Sequence, residues 1–133
     1  MGGIRNTNVV YPELSYTISG ILFEVRRQLD SGYHEKHVQR AVAVALSDAH
    51  IRFQEQCPAV IEFRNRVIGR YFLDFVIDGK IVLELKVLEK PSRKDFDQIK
   101  QYLSKTKLAL GLLAVFGRNG VTIYRVLAAT NGS

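Results

Sequence analysis

The residues Tyr71 to Lys86, YFLDFVIDGKIVLELK, predict two β-strands joined by a tight turn. Apolar residues occupy the odd positions of both halves, and Asp78-Gly79 between them is a strong hairpin signal. Because strand side chains alternate between faces, the odd positions share one face only if the loop has an odd number of residues. We therefore expect a three-residue turn with Gly79 in the left-handed region.

The same parity predicts that Asp74, Glu84 and Lys86 lie together on the opposite face. A two-residue Asp-Gly loop would instead separate Asp74 from Glu84. Two carboxylates and a lysine among apolar neighbours are costly to leave unpaired. They indicate either a salt-bridged cluster on a solvated face or a site for a hard divalent cation such as Mg²⁺, which prefers carboxylate oxygens.

Length and composition indicate one domain with a basic surface. The chain has 133 residues, of which 47% are hydrophobic, and a formal net charge of +6. A positive balance favours a polyanionic partner, with nucleic acid ahead of a membrane surface. The single Cys57 cannot form an internal disulfide, and it is expected to be a small core residue. The longest apolar run, residues 108–116, is too short to span a membrane, so we expect a soluble cytoplasmic protein with no membrane partner.

Periodicity and turn signals predict the order ααβββαββ. This order describes an α/β (α+β) fold with one mixed central sheet flanked by helices. Ser15 is a candidate cap of the first helix, and Pro58 favours an edge position for the first strand. The predicted helices cover residues 14–29, 33–48 and 92–106, and the predicted strands 52–63, 67–77, 80–88, 108–116 and 121–126. The expected organisation is a flexible arm over 1–13, a single domain over 14–127 and a flexible tail over 128–133.

Several motifs in this order resemble one family. They are Gly32-Tyr33-His34-Glu35, Asp74, Glu84-Leu85-Lys86, Gln98 with Tyr102-Leu103, and Leu110-Gly111-Leu112-Leu113 with Phe116-Gly117. Together they resemble the GxxExxY proteins, a branch of the PD-(D/E)xK nuclease superfamily, over nearly the whole ordered chain. The sequence departs from that pattern at Val38, where the family has its final tyrosine.

The resemblance implies a restriction-endonuclease-like fold and a metal-dependent phosphodiesterase site. Asp74 and Glu84 would bind Mg²⁺, or Mn²⁺ in its place, and Glu35 would reach the metal from the second helix. Lys86 would position water or stabilise phosphate charge, and Gln98 and Tyr102 would contact the site from the third helix. Alternatively, Glu35 is a carboxylate favoured by a helix N-terminus, and Tyr102 is an amphipathic rim residue.

Two functional hypotheses follow. The first is a metal-dependent nuclease, selective for nucleic-acid structure, acting on DNA in preference to RNA and forming a homodimer. The second is a catalytically weak or inactive module of the same fold that binds nucleic acid or a protein, which the Val38 departure would suit. Under either hypothesis the candidate phosphate contacts are Arg64, Arg66, Arg70, Lys90, Arg93, Lys94 and Lys105.

Overall fold

The computed structural model describes residues 10–30 and 32–128. Most of the predicted arm (1–9), Ser31 and most of the predicted tail (129–133) lie outside the described residues. Within the described part, no helix is long and apolar enough to cross a membrane.

Three helices and five strands follow one another in the predicted order ααβββαββ. The helices are α1 (Pro12–Leu29), α2 (Glu35–Asp48) and α3 (Arg93–Thr106). The strands are β1 (Phe53–Phe63), β2 (Arg66–Ile77), β3 (Ile81–Val87), β4 (Leu110–Gly117) and β5 (Gly120–Leu127).

The strands form one five-stranded mixed sheet in the order β1-β2-β3-β4-β5. Consecutive strands are antiparallel except β3 and β4, which are parallel and are connected through α3. A parallel pair needs such a crossover, because its second strand must begin at the end of the sheet where the first began. The edge position predicted for β1 from Pro58 is confirmed.

The hairpin between β2 and β3 has the predicted three-residue loop. Ile77 pairs with Ile81, so odd residues oppose odd residues, and the loop consists of residues 78–80. Asp78 and Gly79 both have positive φ, 53° and 63°. The Asp78 carboxylate accepts a hydrogen bond from Arg52 at 3.0 Å and lies 3.4 Å from the Lys80 ammonium.

The prediction that the odd positions of β2 share one face is wrong. Phe75 and Ile77 pack in the cluster beneath α1 and α2, whereas Leu73 packs in the cluster beneath α3. The switch occurs at Asp74, which lies between residues that pair with Glu55 and Cys57 of β1. Gln56 of β1, with a φ of 51°, falls at the same point, and neither Gln56 nor Asp74 is among the paired residues of the two strands.

The two faces of the sheet are covered by different helices. On one face α1 and α2 bury Ile18, Leu22 and Val42 against the apolar residues of β3 and β4. On the other face α3 buries Ile99 and Leu103. A Cβ atom at Gly111 of β4 would lie 2.4 Å from Cγ2 of Ile99, so only glycine permits this close approach of α3 to the sheet.

The start of α1 differs from the prediction. The helix begins at Pro12, because proline is pre-organised for the first helical position and lacks an N–H that would need a partner there. Ser15 therefore lies inside the helix and is not its cap. Its buried hydroxyl donates to the Pro12 carbonyl at 3.3 Å and accepts from Arg125 at 3.3 Å.

Candidate active site

The candidate site lies where β2 and β3 separate. Their paired residues extend from the hairpin loop to Phe75 and Leu83. Beyond that point β2 continues alongside β1, while β3 continues alongside β4. We call the point of separation the strand fork, defined by Asp74 and Glu84 on the two diverging strands.

At the strand fork, side chains take the place of the backbone ladder. The Asp74 N–H donates to Oε1 of Glu84 at 2.8 Å. The Leu85 N–H donates to Oδ2 of Asp74 at 2.8 Å. Each carboxylate therefore satisfies a backbone donor of the opposite strand, which explains why the ladder can end inside the sheet without leaving these two N–H groups unpaired.

Both carboxylates are removed from water. The exposed fraction of the residue is 7% for Asp74 and 6% for Glu84. Burial, followed by the negative charge of Asp74, raises the pKa of Glu84 to about 8. Burial also raises the pKa of Asp74, against the hydrogen bond from Leu85. The pair therefore retains a proton at neutral pH when no cation is present.

Glu35, the first residue of α2, contributes to this electrostatic field. Burial is the largest cause of the raised pKa of Asp74, and the hydrogen bond from Leu85 opposes it. The negative charge of Glu35 raises that pKa further. It does not complete a set of three ligands, because residues 10–30 and 32–128 contain no group of three or more His, Cys, Asp and Glu side chains positioned to hold a metal ion.

Lys86 lies beside the carboxylates and faces the first turn of α3. Its positive charge lowers the pKa of both Asp74 and Glu84, although burial outweighs that effect. Its ammonium nitrogen lies 3.9 Å from Oδ1 of Asp95, in the first turn of α3. The other Asp95 oxygen accepts the Ser92 N–H at 2.8 Å, so the same carboxylate caps the helix start and forms a loose ion pair with the lysine.

Two tyrosines lie between α3 and the strands β1 and β2. The Tyr71 hydroxyl donates to the backbone carbonyl of Gln98 at 3.2 Å. Burial, and to a smaller extent the charge of Glu84, raises the pKa of Tyr71. Tyr102 lies farther along α3 and lines a cavity with Pro58, Arg70 and Lys105. Burial, followed by the charges of Cys57 and Tyr71, raises the pKa of Tyr102.

Sequence reasoning missed Asp95 and Tyr71. Asp95 had a recognisable signal, because Ser92-x-x-Asp95 is a capping-box pattern at the start of α3. Tyr71 had no local signal, since its contact with Gln98 joins residues 27 positions apart.

The predicted phosphate contacts fall into two groups. Arg64, Arg66 and Arg70 are exposed near the β1–β2 turn, and the Lys105 ammonium donates to the Val60 carbonyl beside them. The remaining three, Lys90, Arg93 and Lys94, are exposed at the start of α3. Asp97 offers the Arg93 guanidinium only a loose ion pair, 3.9 Å away.

The residues of the strand fork suit a hard divalent cation. Two buried carboxylates of like charge are compensated by two backbone N–H groups and one lysine, and a cation would relieve the repulsion that holds a proton on the pair. Mg²⁺ usually takes one or two protein carboxylates together with water and substrate phosphate. Asp74 and Glu84 provide that donor set.

The domain has an α+β fold with a mixed sheet, a buried Asp and Glu at a strand fork, and a Lys two residues after the Glu. These features are those of a restriction-endonuclease-like domain. The family model of the PD-(D/E)XK nuclease superfamily matches residues 12–126. The chain therefore belongs to the PD-(D/E)XK nuclease superfamily.

Other comparisons support the fold alone. The crystal structure of SSO0001 is similar with a TM-score of 0.56 and 16% sequence identity, covering 74% of this chain and 55% of that chain. This chain thus spans about 55% of the length of that protein. A search of curated proteins finds no significant match.

Proposed function

We propose that this protein is a divalent-metal-dependent nuclease that hydrolyses phosphodiester bonds in DNA, with Asp74, Glu84 and Lys86 at its centre. The observation that supports this proposal most strongly is the buried Asp74–Glu84 pair. Glu84 has a pKa of about 8 and lies beside a lysine in a chain of this superfamily. A structural ion cluster would be expected to pair opposite charges, whereas here two carboxylates share one buried site, and a cation would relieve the repulsion between them when both lose their protons.

Each residue has a distinct role in the proposal. Asp74 and Glu84 would hold Mg²⁺, or Mn²⁺ in its place, and the ion would supply Lewis acidity toward the phosphate. Lys86 would donate hydrogen bonds to the attacking water or to the phosphoryl oxygens, where charge develops in the transition state. Asp95 would attract the Lys86 ammonium 3.9 Å away, and the hydrogen bond from Tyr71 to the Gln98 carbonyl would help to position α3 against β2.

Glu35 would act from α2 on the same charge balance. Its effect on Asp74 operates at longer range than a shared ligand, so a contact with the metal through water is the form that fits. Tyr102 lines a cavity of about 440 Å³ together with Arg70 and Lys105. From there it would contact bound nucleic acid rather than the metal.

The test is cleavage of single-stranded, duplex, flap and four-way-junction DNA, and of RNA, with Mg²⁺, Mn²⁺ or EDTA. Glu84→Gln and Lys86→Ala should each lower cleavage about 100-fold or more, because each removes a charge that acts on the transition state. Lys80→Ala is the matched control, since this exposed lysine lies at the loop end of the same hairpin and should leave the rate unchanged.

Failure of the wild type to cut any substrate, with nucleic-acid binding retained, would refute the nuclease proposal and support a binding module of the same fold. The proposal also includes a homodimer, because a symmetric pair of sites suits paired cuts on a symmetric substrate. Sedimentation velocity of the wild type, with and without DNA, tests that part separately.

A further inference from the structure

Beyond the strand fork, β1 and β2 form a two-stranded ribbon. Their pairing continues from Cys57 and Leu73 to Phe63 and Arg66, while the paired residues of β2 and β3 end at Phe75. We call residues 57–73 the β1–β2 ribbon. Its tip is a tight turn in which Arg64 and Asn65 have φ values of 51° and 63°. Its base is packed on α3 through Cys57, Ala59 and Leu73, whereas the tip is exposed.

The exposed part of the β1–β2 ribbon is apolar as well as basic. Five large apolar residues have 41–66% of their surface exposed, namely Ile61, Phe63, Val67, Ile68 and Phe72. The arginines at 64, 66 and 70 alternate with them, and Glu62 is the only acidic residue between positions 60 and 72. The Arg64 guanidinium lies 5.1 Å from the centre of the Phe63 ring. Exposed large apolar residues in this number along one ribbon mark a surface for a partner.

We infer that the β1–β2 ribbon inserts into the major groove of double-helical DNA and so makes duplex DNA the substrate class. This inference rests on the proposed nuclease function. Three arginines against one glutamate complement a polyanion, and a two-stranded ribbon fits the major groove of B-form DNA, which is about 12 Å wide. In A-form RNA that groove is deep and narrow, and side chains cannot reach the bases.

The apolar residues have a use in DNA that a purely basic arm would lack. Thymine presents a methyl group in the major groove, and apolar side chains contact it there. Phe63, with Arg64 stacked on its ring, lies at the turn, the part of the ribbon farthest from the carboxylates. The arginines would contact phosphates or guanine edges on either side.

The length of the ribbon sets the distance between the groove contact at its tip and the position of cleavage at the carboxylates. Asp74 lies at the base of the ribbon, eight residues along β2 from Arg66 at the tip. At about 3.3 Å per residue the tip extends roughly 26 Å from the carboxylates. With the ribbon lying in the groove and extending along the helix axis, where base pairs are about 3.4 Å apart, this distance corresponds to about 8 base pairs on that side of the cut.

Binding is measured by fluorescence anisotropy in EDTA, with a 16-base-pair DNA duplex, an RNA duplex of the same sequence and the DNA single strand. The Arg64→Ala/Arg66→Ala double variant should bind duplex DNA 10- to 100-fold more weakly, with a shallower dependence on salt. Phe63→Ala should weaken duplex binding about tenfold without changing the salt dependence, because it removes an apolar contact. The matched control is Arg27→Ala/Arg40→Ala, which removes the same charge from exposed positions of α1 and α2.

Several outcomes would overturn the inference. One is equal loss of affinity in the ribbon variant and the control. A second is wild-type binding of the RNA duplex or the single strand as tight as that of duplex DNA. A third is a ribbon variant that dissociates a dimer in sedimentation while retaining DNA affinity, because the apolar tip would then contact a second copy of this chain.

Cleavage assays on the same variants separate this inference from the proposed function. Ribbon variants that cut duplex DNA at the wild-type rate would refute the ribbon contact and leave the nuclease proposal standing. A wild type that binds duplex DNA through the ribbon but never cuts it would refute the nuclease proposal and leave the ribbon contact standing. Cutting that is retained on a duplex with 4 base pairs beside the scissile phosphate would contradict the position assigned to the tip.

Discussion

Glu84→Gln should change the pH dependence of stability in metal-free protein. In the folded state, burial and then the charge of Asp74 raise the pKa of Glu84 from 4.5 to about 8. Between these two values the folded protein binds more protons than the unfolded chain, so the free energy of unfolding falls as pH rises. Stability from this group is fully present below about pH 4.5 and is lost by about pH 8. The raised pKa of Asp74 acts in the same direction.

The magnitude follows from the two pKa values. For 4.5 in the unfolded chain and about 8 in the folded protein, the loss between pH 5 and pH 7 is about 2.5 kcal/mol. Glutamine keeps the side-chain oxygen that accepts the Asp74 N–H, and it has no proton to lose in this range. The variant should therefore lose much less stability than the wild type over the same interval.

The assay is urea unfolding followed by circular dichroism in EDTA at pH 5, 6 and 7. Glu62→Gln serves as the control, since this carboxylate is exposed and should follow the wild type. The groups near Glu84 whose charges enter the balance are Asp74, Glu35, Lys86 and Tyr71. A wild-type stability that stays flat or rises from pH 5 to pH 7, in parallel with Glu84→Gln, would refute the reasoning.

Three further predictions concern the metal, the sheet and α3. Mg²⁺ should raise the melting temperature of the wild type more at pH 8 than at pH 6, because ligands must lose their protons, and calorimetry should show no such rise for Glu84→Gln. Gly111→Ala should lower the free energy of unfolding by about 1–3 kcal/mol in the same urea titration, because its Cβ would lie 2.4 Å from Ile99. Gly20→Ala should raise it by up to about 1 kcal/mol, because a Cβ there meets no atom within 4 Å and alanine favours the helix. Asp95→Ala should lower the free energy of unfolding by about 1 kcal/mol in that assay. Asp95→Asn should lower it less, because asparagine keeps an oxygen that accepts the Ser92 N–H. Equal losses in the two variants would contradict the role of that hydrogen bond.

Much of the fold could be predicted from the sequence because its signals are local. The loop between β2 and β3 followed from the alternation of apolar residues on either side of Asp78-Gly79. The helix predicted over residues 92–106, between the strands at 80–88 and 108–116, corresponds to α3, which connects the parallel strands β3 and β4. In each case a short-range pattern agrees with the tertiary structure, so no long-range information was needed.

The change of face within β2 could not be predicted in the same way. Tyr71 and Leu73 continue the odd alternation of Phe75 and Ile77 in the sequence, yet Leu73 belongs to the α3 cluster. The change coincides with a left-handed Gln56 on the neighbouring strand, and glutamine has no special preference for that conformation. Only the paired strands reveal that the ladder is interrupted at this point.

The break in the ladder and the acidic site have the same structural origin. Where β2 and β3 separate, the N–H groups of Asp74 and Leu85 need acceptors that the backbone does not provide, and the two carboxylates provide them. An uninterrupted hairpin would satisfy those donors by itself, and carboxylates buried within it would lack compensating donors. The acidic pair therefore stabilises the fork while the fork keeps the pair dry and close together. Alanine at either position would remove charge and a structural acceptor at once, whereas asparagine or glutamine removes only the charge. The decisive result would be loss of cleavage in Glu84→Gln with a free energy of unfolding equal to or higher than that of the wild type. It would assign the charge to catalysis rather than to folding.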